Sequence, residues 1–244
     1  MQALVNAGGK GTRMGATGIE KPMQLVGGKP IVRRVVEALL GSDRIGRILV
    51  SVSKNTPETE RFVRSLGVDV IRTSGEDFMK DMHEAFGAMD GRYVFTTPSD
   101  IPLLTSGVVD AVCDYFRPEM QSMIVMVSAD LVRKMGITPS YVRETPRGEY
   151  VISGVSVMDR PATLAGEYLH EELFATDWKE LAVNVNTPGE LEIARALLRR
   201  SVRGALEDRS LGLLGLGLRA RFLRTSPPVG DRDGDNLPDP VAGP

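Results

Sequence analysis

Short apolar, β-branched runs alternate along the first half of the chain with stretches whose apolar residues return every three or four positions. Residues 3–6 read as a buried strand that runs straight into a glycine-rich loop. Ile31, Val32, Val35, Val36, Leu39 and Leu40 then make the single-faced stripe of an amphipathic helix. Residues 48–52 form a second strand. A helix starts near Asn55-Thr56-Pro57-Glu58, where a capping side chain precedes a first-turn proline. Residues 68–71 are a third strand, and Phe78, Met79, Met82, Phe86 and Met89 the apolar face of the next helix. A fourth strand covers 92–96 and a fifth 122–127. This alternation predicts an α/β fold, a mostly parallel (mixed) sheet with helices on both faces, Rossmann-like in its order.

Residues 137–157 break the rhythm, with Pro139, Pro146 and Gly148 among alternating Tyr150, Ile152, Val155 and Val157. They predict a β-hairpin or bent strand inserted beside the main sheet. A last strand at 181–185 leads through Asn186-Thr187-Pro188 into a helix with Leu191, Ala194, Leu197 and Leu198 on one face. The folded domain is expected to cover 1–200. Residues 201–244 hold a glycine–leucine run and then a Pro-, Gly- and Asp-rich stretch, too poor in large apolar residues to offset its ordering entropy. They are expected to be a disordered tail. Within it Asp231-Arg232-Asp233-Gly234-Asp235 opens like a calcium loop, but the acidic twelfth position and flanking helices are missing.

Composition narrows the function classes. At 244 residues and 42% hydrophobic, the chain can build one sizeable core. Thirty basic and 32 acidic residues leave a net charge of -2, which supports neither a nucleic-acid partner nor an anionic membrane surface. Cys113 is the single cysteine, so no intrachain disulfide or multi-thiolate metal site can form. No apolar run reaches the ~20 residues of a membrane span, and the first residues lack the pattern of a signal peptide. A soluble, cytoplasmic protein is expected.

The chemistry starts at Ala7, Gly8, Gly9, Lys10, Gly11, Thr12, Arg13 and Met14, directly after the first strand. Glycines let backbone N–H groups approach a ligand, and Lys10 and Arg13 add positive charge, so the loop suits polyphosphate. A plain tight turn is the alternative. The spacing matches neither the Walker loop nor the dinucleotide fingerprint. Ser99 and Asp100 follow the fourth strand, whose carboxyl end faces the same crevice. One carboxylate there, with phosphate oxygens, suits Mg2+.

Together with Glu20-Lys21-Pro22, these residues resemble the G-G-x-G-x-R-M … K-P signature of nucleotidyltransferases. The resemblance implies the glycosyltransferase-A-like form of the fold and a loop that wraps the triphosphate. Arg13 and Lys21 would neutralise the α-phosphate and the leaving pyrophosphate, and Asp100 would be the Mg2+ ligand. Thr73, Ser74 and Gly75 lie where relatives seat the base and ribose. Asn186 stands where sugar-nucleotide relatives carry a second metal aspartate, an asparagine being shared with the cofactor guanylyltransferases. Two roles are open to it: an oxygen for the metal or a phosphate-bound water, or the N-cap of the next helix. No His, Cys or Ser nucleophilic constellation is present. An acceptor that is itself an ionised phosphate needs none.

Over residues 1–200 the chain is similar to the archaeal adenosylcobinamide-phosphate guanylyltransferases of coenzyme B12 synthesis. The likeness is carried by the start of the chain, Ser53-Lys54-Asn55-Thr56-Pro57, Thr73-Ser74-Gly75 and Asn184-Val185-Asn186-Thr187. It implies GTP as donor and a phosphorylated corrinoid as acceptor, with Gly154, Ser156, Asn184 and Asn186 on the acceptor side. Asp77 and Ser156 depart from the glycine and asparagine expected at their positions. The competing readings are a molybdopterin guanylyltransferase, a polyol-phosphate cytidylyltransferase and, in another class, a GTP-binding module without catalysis. A homodimer is compatible with all of them.

Overall fold

The computed structural model describes residues 1–15, 18–139 and 141–212, without the side chains of 202 and 204–212. The chain divides into two compact units, Met1–Gly204 and Ala205–Pro244. The first begins with β1 (Gln2–Asn6), a small hairpin of β2 (Leu25–Val26) and β3 (Lys29–Pro30), and α1 (Ile31–Leu40). Next come β4 (Arg47–Val52), α2 (Pro57–Ser65), β5 (Asp69–Arg72), α3 (Phe78–Gly87), β6 (Tyr93–Pro98) and α4 (Ser106–Tyr115). The order continues with β7 (Ser122–Ser128), α5 (Ala129–Lys134), β8 (Arg143–Thr145), β9 (Gly148–Asp159), α6 (Arg160–Leu164) and β10 (Glu171–Thr176). The helix α7 is Pro188–Gly212. Of the expected tail, residues 213–244, including the calcium-like Asp231–Asp235, lie outside the described residues.

The main sheet runs β10-β7-β9-β6-β1-β4-β5, with β8 paired to β9. All its pairs are parallel except those that β9 makes with β6, β7 and β8. Strand alternation divides the apolar residues between two faces. Ala3, Val5, Val50 and Phe95 join α1 and α4 in the larger cluster, whereas Leu4, Leu49 and Val94 join Met82, Ala85 and Phe86 of α3. Helices therefore cover both faces, as the pattern predicted. A third cluster joins Met14, Val26 and Ile31 to Val183, Val185, Leu191 and Ala194.

Several elements differ from the sequence reading. The stretch 181–185 is not a strand. It starts in a single 3-10 turn, Lys179–Leu181, and Val183 and Val185 pack in the third cluster, while Leu181 and Ala182 pack in the larger cluster, with no ladder partner for the stretch. The edge strand is instead β10, parallel to β7, although it opens on Glu171 and Glu172. The hairpin expected beside the sheet has one arm in its middle, because β9 fills the gap between β6 and β7. Leu40 is 60% exposed, and so are Phe78 (62%) and Met79 (61%), the first two residues of α3, where Asp77 caps the helix by accepting from the N–H groups of Met79 and Lys80. Cys113 is buried, and burial pushes its thiol up to about 11. Among the described residues no helix is long and apolar enough to cross a membrane.

Candidate active site

The parallel register brings the strand ends together. Asn6 of β1 stands beside Ser51 of β4 and Pro98 of β6, and Ser51 beside Ile71 of β5. The loops that follow β1, β4, β5 and β6 therefore open on one edge, the general consequence of parallel strands with crossover helices. The loops after β1, β5 and β6, with Ser51 of β4, line a cleft of about 320 Å³ that has Ala7, Gly8, Gly9, Lys21, Pro22, Gly75, Ser99 and Asp100 on its walls.

The glycine loop is held from behind. Ser53 Oγ donates to the Gly8 carbonyl at 2.7 Å, and Asn55 Nδ2 donates to the Gly75 carbonyl at 3.2 Å and the Gly8 carbonyl at 3.4 Å. The segment after β4 thus ties the loop after β1 to the loop after β5. Gly75 has no alternative there. Its φ is +69°, and a Cβ would lie 2.4 Å from Ser53 Oγ. Asp81 orders the same loop, accepting from Ser74 N–H (2.9 Å), Ser74 Oγ (2.7 Å) and Gly75 N–H (2.9 Å). Thr73 is buried beneath it, with its N–H donating to the Val52 carbonyl.

On the opposite wall, Lys21 Nζ donates to Asp100 Oδ2 at 2.5 Å and to Asn186 Oδ1 at 3.1 Å. Arg13 Nη2 reaches the same Asn186 oxygen at 3.0 Å. The Lys21 and Asp100 side chains are 17% and 10% exposed, a pair largely shielded from screening. Asn184 Nδ2 completes the shell, donating to the Ser153 carbonyl at 3.0 Å and lying 3.5 Å from Asp100 Oδ1. The Val185 N–H donates to the Asp100 carbonyl at 2.9 Å, so the loop before α7 is stitched onto the loop after β6.

Of the two roles open to Asn186, the helix cap is taken by its neighbours. Glu190 accepts from the N–H groups of Asn186 and Thr187, and Thr187 Oγ1 accepts from the Glu190 N–H. This is a reciprocal capping box one residue further along. It leaves the Asn186 amide oxygen to Arg13 and Lys21. Thr56 likewise does not cap α2. Its hydroxyl accepts from the Ser53 N–H at 3.1 Å.

Other expected residues spread out. Met14 has its side chain in the third apolar cluster and holds the loop down from inside. Lys10, Thr12 and Arg13 are exposed. Ser156 Oγ is 2.6 Å from Thr96 Oγ1 within the β6–β9 pairing. Gly154 sits in an irregularity of β9, where four steps from Ile152 to Ser156 face two along β7 from Met126 to Ile124. Its φ is +85°, and a Cβ would come 2.9 Å from Pro98 Cγ. The bulge directs the Ser153 carbonyl at Asn184. His83 and His170 are both exposed and line no part of the cleft.

Sequence reasoning missed Glu76 and Phe78, which line the cleft beside Gly75 and Asp81. Phe78 was assigned to an apolar helix face. The signal that could have found it is Asp77, because a capping aspartate puts the next residue in the first turn, before the buried stripe begins.

The chain matches known proteins along most of its length. The family described as the MobA-like NTP transferase domain matches residues 3–212. An adenosylcobinamide-phosphate guanylyltransferase of Methanocaldococcus jannaschii is 31% identical over 211 residues, 82% of this chain and 98% of its own. A probable molybdenum cofactor guanylyltransferase of Thermococcus sibiricus is 23% identical, covering 85% of this chain and all of its own. In fold, the chain is similar to CMP:2-keto-3-deoxy-manno-octonic acid synthetase complexed with CTP, at a TM-score of 0.61 and 17% identity over 82% of this chain and 98% of that one. The mixed sheet, the glycine loop at its edge and these likenesses agree: the chain belongs to the MobA-like NTP transferase domain family and is a nucleotidyltransferase.

Proposed function

We propose that this nucleotidyltransferase moves GMP from GTP onto adenosylcobinamide phosphate, releasing pyrophosphate. The observation that carries the reading is the convergence of Lys21 and Arg13 on Asn186, with Asp100 on the same ammonium, in a chain that spans 98% of its M. jannaschii relative. In the reaction an oxygen of the acceptor phosphate attacks the α-phosphorus of GTP. The bond from that phosphorus to the β-phosphate bridging oxygen breaks, and its electron pair leaves with pyrophosphate. The nucleophile is already an anion near neutral pH, so no general base is required. What the protein must supply is alignment and positive charge between two anions that repel. Lys21 and Arg13 supply charge, and the Gly8–Gly9 backbone lines the phosphate side of the cleft.

A divalent cation fits the donors present. Asp100 Oδ2 and Asn186 Oδ1 both lie within hydrogen-bonding distance of one cation, the Lys21 ammonium, so two oxygen ligands already converge on positive charge. Among the described residues no group of three or more His, Cys, Asp or Glu side chains could hold a metal ion, so Asp100 would be the carboxylate ligand, with phosphate oxygens and water at other positions, the usual habit of Mg2+. Held by Asp100 and Asn186, Mg2+ would take the place of the Lys21 ammonium on those two oxygens, and metal and freed ammonium would together neutralise phosphate charge.

The wall formed by Gly75, Glu76, Phe78 and Asp81 is assigned to the base and ribose. Stacking on an exposed aromatic ring contributes about 1–3 kcal/mol per base. Phe78→Ala is therefore expected to raise KM for GTP by about 10-fold (~1.4 kcal/mol) with kcat little changed. Its melting temperature should stay near that of the parent, since the ring is 62% exposed. Steady-state kinetics at varied GTP checks this, and an unchanged KM would remove Phe78 from the nucleotide site.

The reaction itself is tested by pyrophosphate release with Mg2+, offering GTP, CTP, ATP and UTP in turn against adenosylcobinamide phosphate. Release with GTP alone is the expected result. Measurable GTP binding with no release would overturn this acceptor. Molybdopterin, the acceptor class suggested by the Thermococcus relative, would then be tried next.

A further inference from the structure

Glu20 sits beside Lys21 in sequence but outside the chemistry just described. Its carboxylate reaches across to α2. Oε1 accepts from the Glu58 N–H at 2.7 Å, and Oε2 accepts from the Thr59 N–H at 2.7 Å and the Thr59 hydroxyl at 2.6 Å. These are first-turn donors of the helix, left without a side-chain cap because the Thr56 hydroxyl is engaged with Ser53. The positive end of the helix adds to the attraction for a carboxylate. Thr59 is wholly buried. α2 itself is clipped to β5, since Glu60 takes Arg72 at 2.5 Å. A rigid part of the fold therefore holds Glu20.

The next residues turn this attachment into placement. Lys21–Met23 form one 3-10 turn whose Met23 N–H donates to the Glu20 carbonyl at 2.9 Å, and Pro22 is buried. Once Glu20 is pinned, the Cα of Lys21 has little freedom. We infer that Glu20 is a positioning residue for Lys21: by gripping the start of α2 it holds the ammonium between Asp100 and Asn186 before nucleotide binds. A cap that merely stabilises α2 would look the same in a static picture. It would not depend on what stands at position 21. The inference rests on Lys21 acting in the reaction.

The two roles separate in a double-mutant cycle of Glu20→Gln with Lys21→Ala on the full chain. Glutamine keeps the length but turns an NH2 toward the N–H donors. With Lys21 present, Glu20→Gln is expected to lower kcat by about 10-fold, the scale of a small misplacement. In the Lys21→Ala background the same change should cost less than about 2-fold. The cycle is run in parallel on Mg2+–GTP affinity by calorimetry, which needs no acceptor, so an error in the assigned acceptor cannot be mistaken for a failed inference. Equal losses in both backgrounds, or no loss in either, would overturn it. A Lys21→Ala enzyme with normal rate and affinity would overturn it too, by removing what Glu20 positions. Should Glu20→Gln not fold, Thr59→Val removes one of the three hydrogen bonds and enters the same cycle with the same two outcomes.

Discussion

Asp100→Asn is expected to lower kcat for pyrophosphate release by about 10³-fold, ~4 kcal/mol of transition-state stabilisation. The side chain sits at the carboxyl end of β6, with one oxygen on Lys21 and the other facing Asn184. Asparagine keeps the shape and the backbone bond from Val185 while removing the charge. The melting temperature should therefore change by no more than a few degrees, which thermal unfolding would check. A rate near that of the parent would remove Asp100 from the chemistry. The dependence on Mg2+ then separates two reasons for a loss. Partial recovery as Mg2+ is raised identifies a weakened metal ligand. A loss that ignores Mg2+ identifies Asp100 as the partner that orients Lys21.

Lys21→Ala is the second large effect, about 10²- to 10³-fold in kcat with KM for GTP changed by less than about 10-fold. The ammonium is compact and touches both Asp100 and Asn186. In the proposed reaction it would stand where two phosphate groups approach each other, so its charge would be needed most when the bond between them forms. Lys21→Arg should restore little. A guanidinium is a planar fork, and Arg13 already donates to the same Asn186 oxygen at 3.0 Å. Steady-state rates for the three proteins decide the matter. A raised KM with unchanged kcat would mean that Lys21 binds ground state and transition state alike.

Much of the architecture was legible because it depends on local periodicity. The stripe from Ile31 to Leu39 and the runs at β1, β4, β6 and β7 each carry one unbroken period, and the structure has an element at every one. Readings failed where a residue satisfied the pattern but the partner was remote. The residues at 181–185 alternate like a strand, yet the groove between the first loop and α7 takes Val183 and Val185 as packing, while β7 pairs with β10. Leu40, Phe78 and Met79 are apolar at helix ends, where the buried stripe has already run out or not begun.

The same division runs through the site. The sequence by itself determined that a glycine loop, a lysine and an aspartate follow strands of one parallel sheet, because parallel topology sends every strand's carboxyl end to one edge. It could not decide which polar groups meet there, because each donor has several acceptors within reach of a folded chain. Glu20 caps a helix 38 residues away, while Thr56, the neighbour in sequence, has its hydroxyl engaged with Ser53. Thr187 and Glu190 close a capping box that releases the Asn186 oxygen to Arg13 and Lys21. Only the tertiary structure settled these exchanges. A buried hydrogen-bonding group must find a partner, and whether the nearest one in sequence remains free depends on the whole fold.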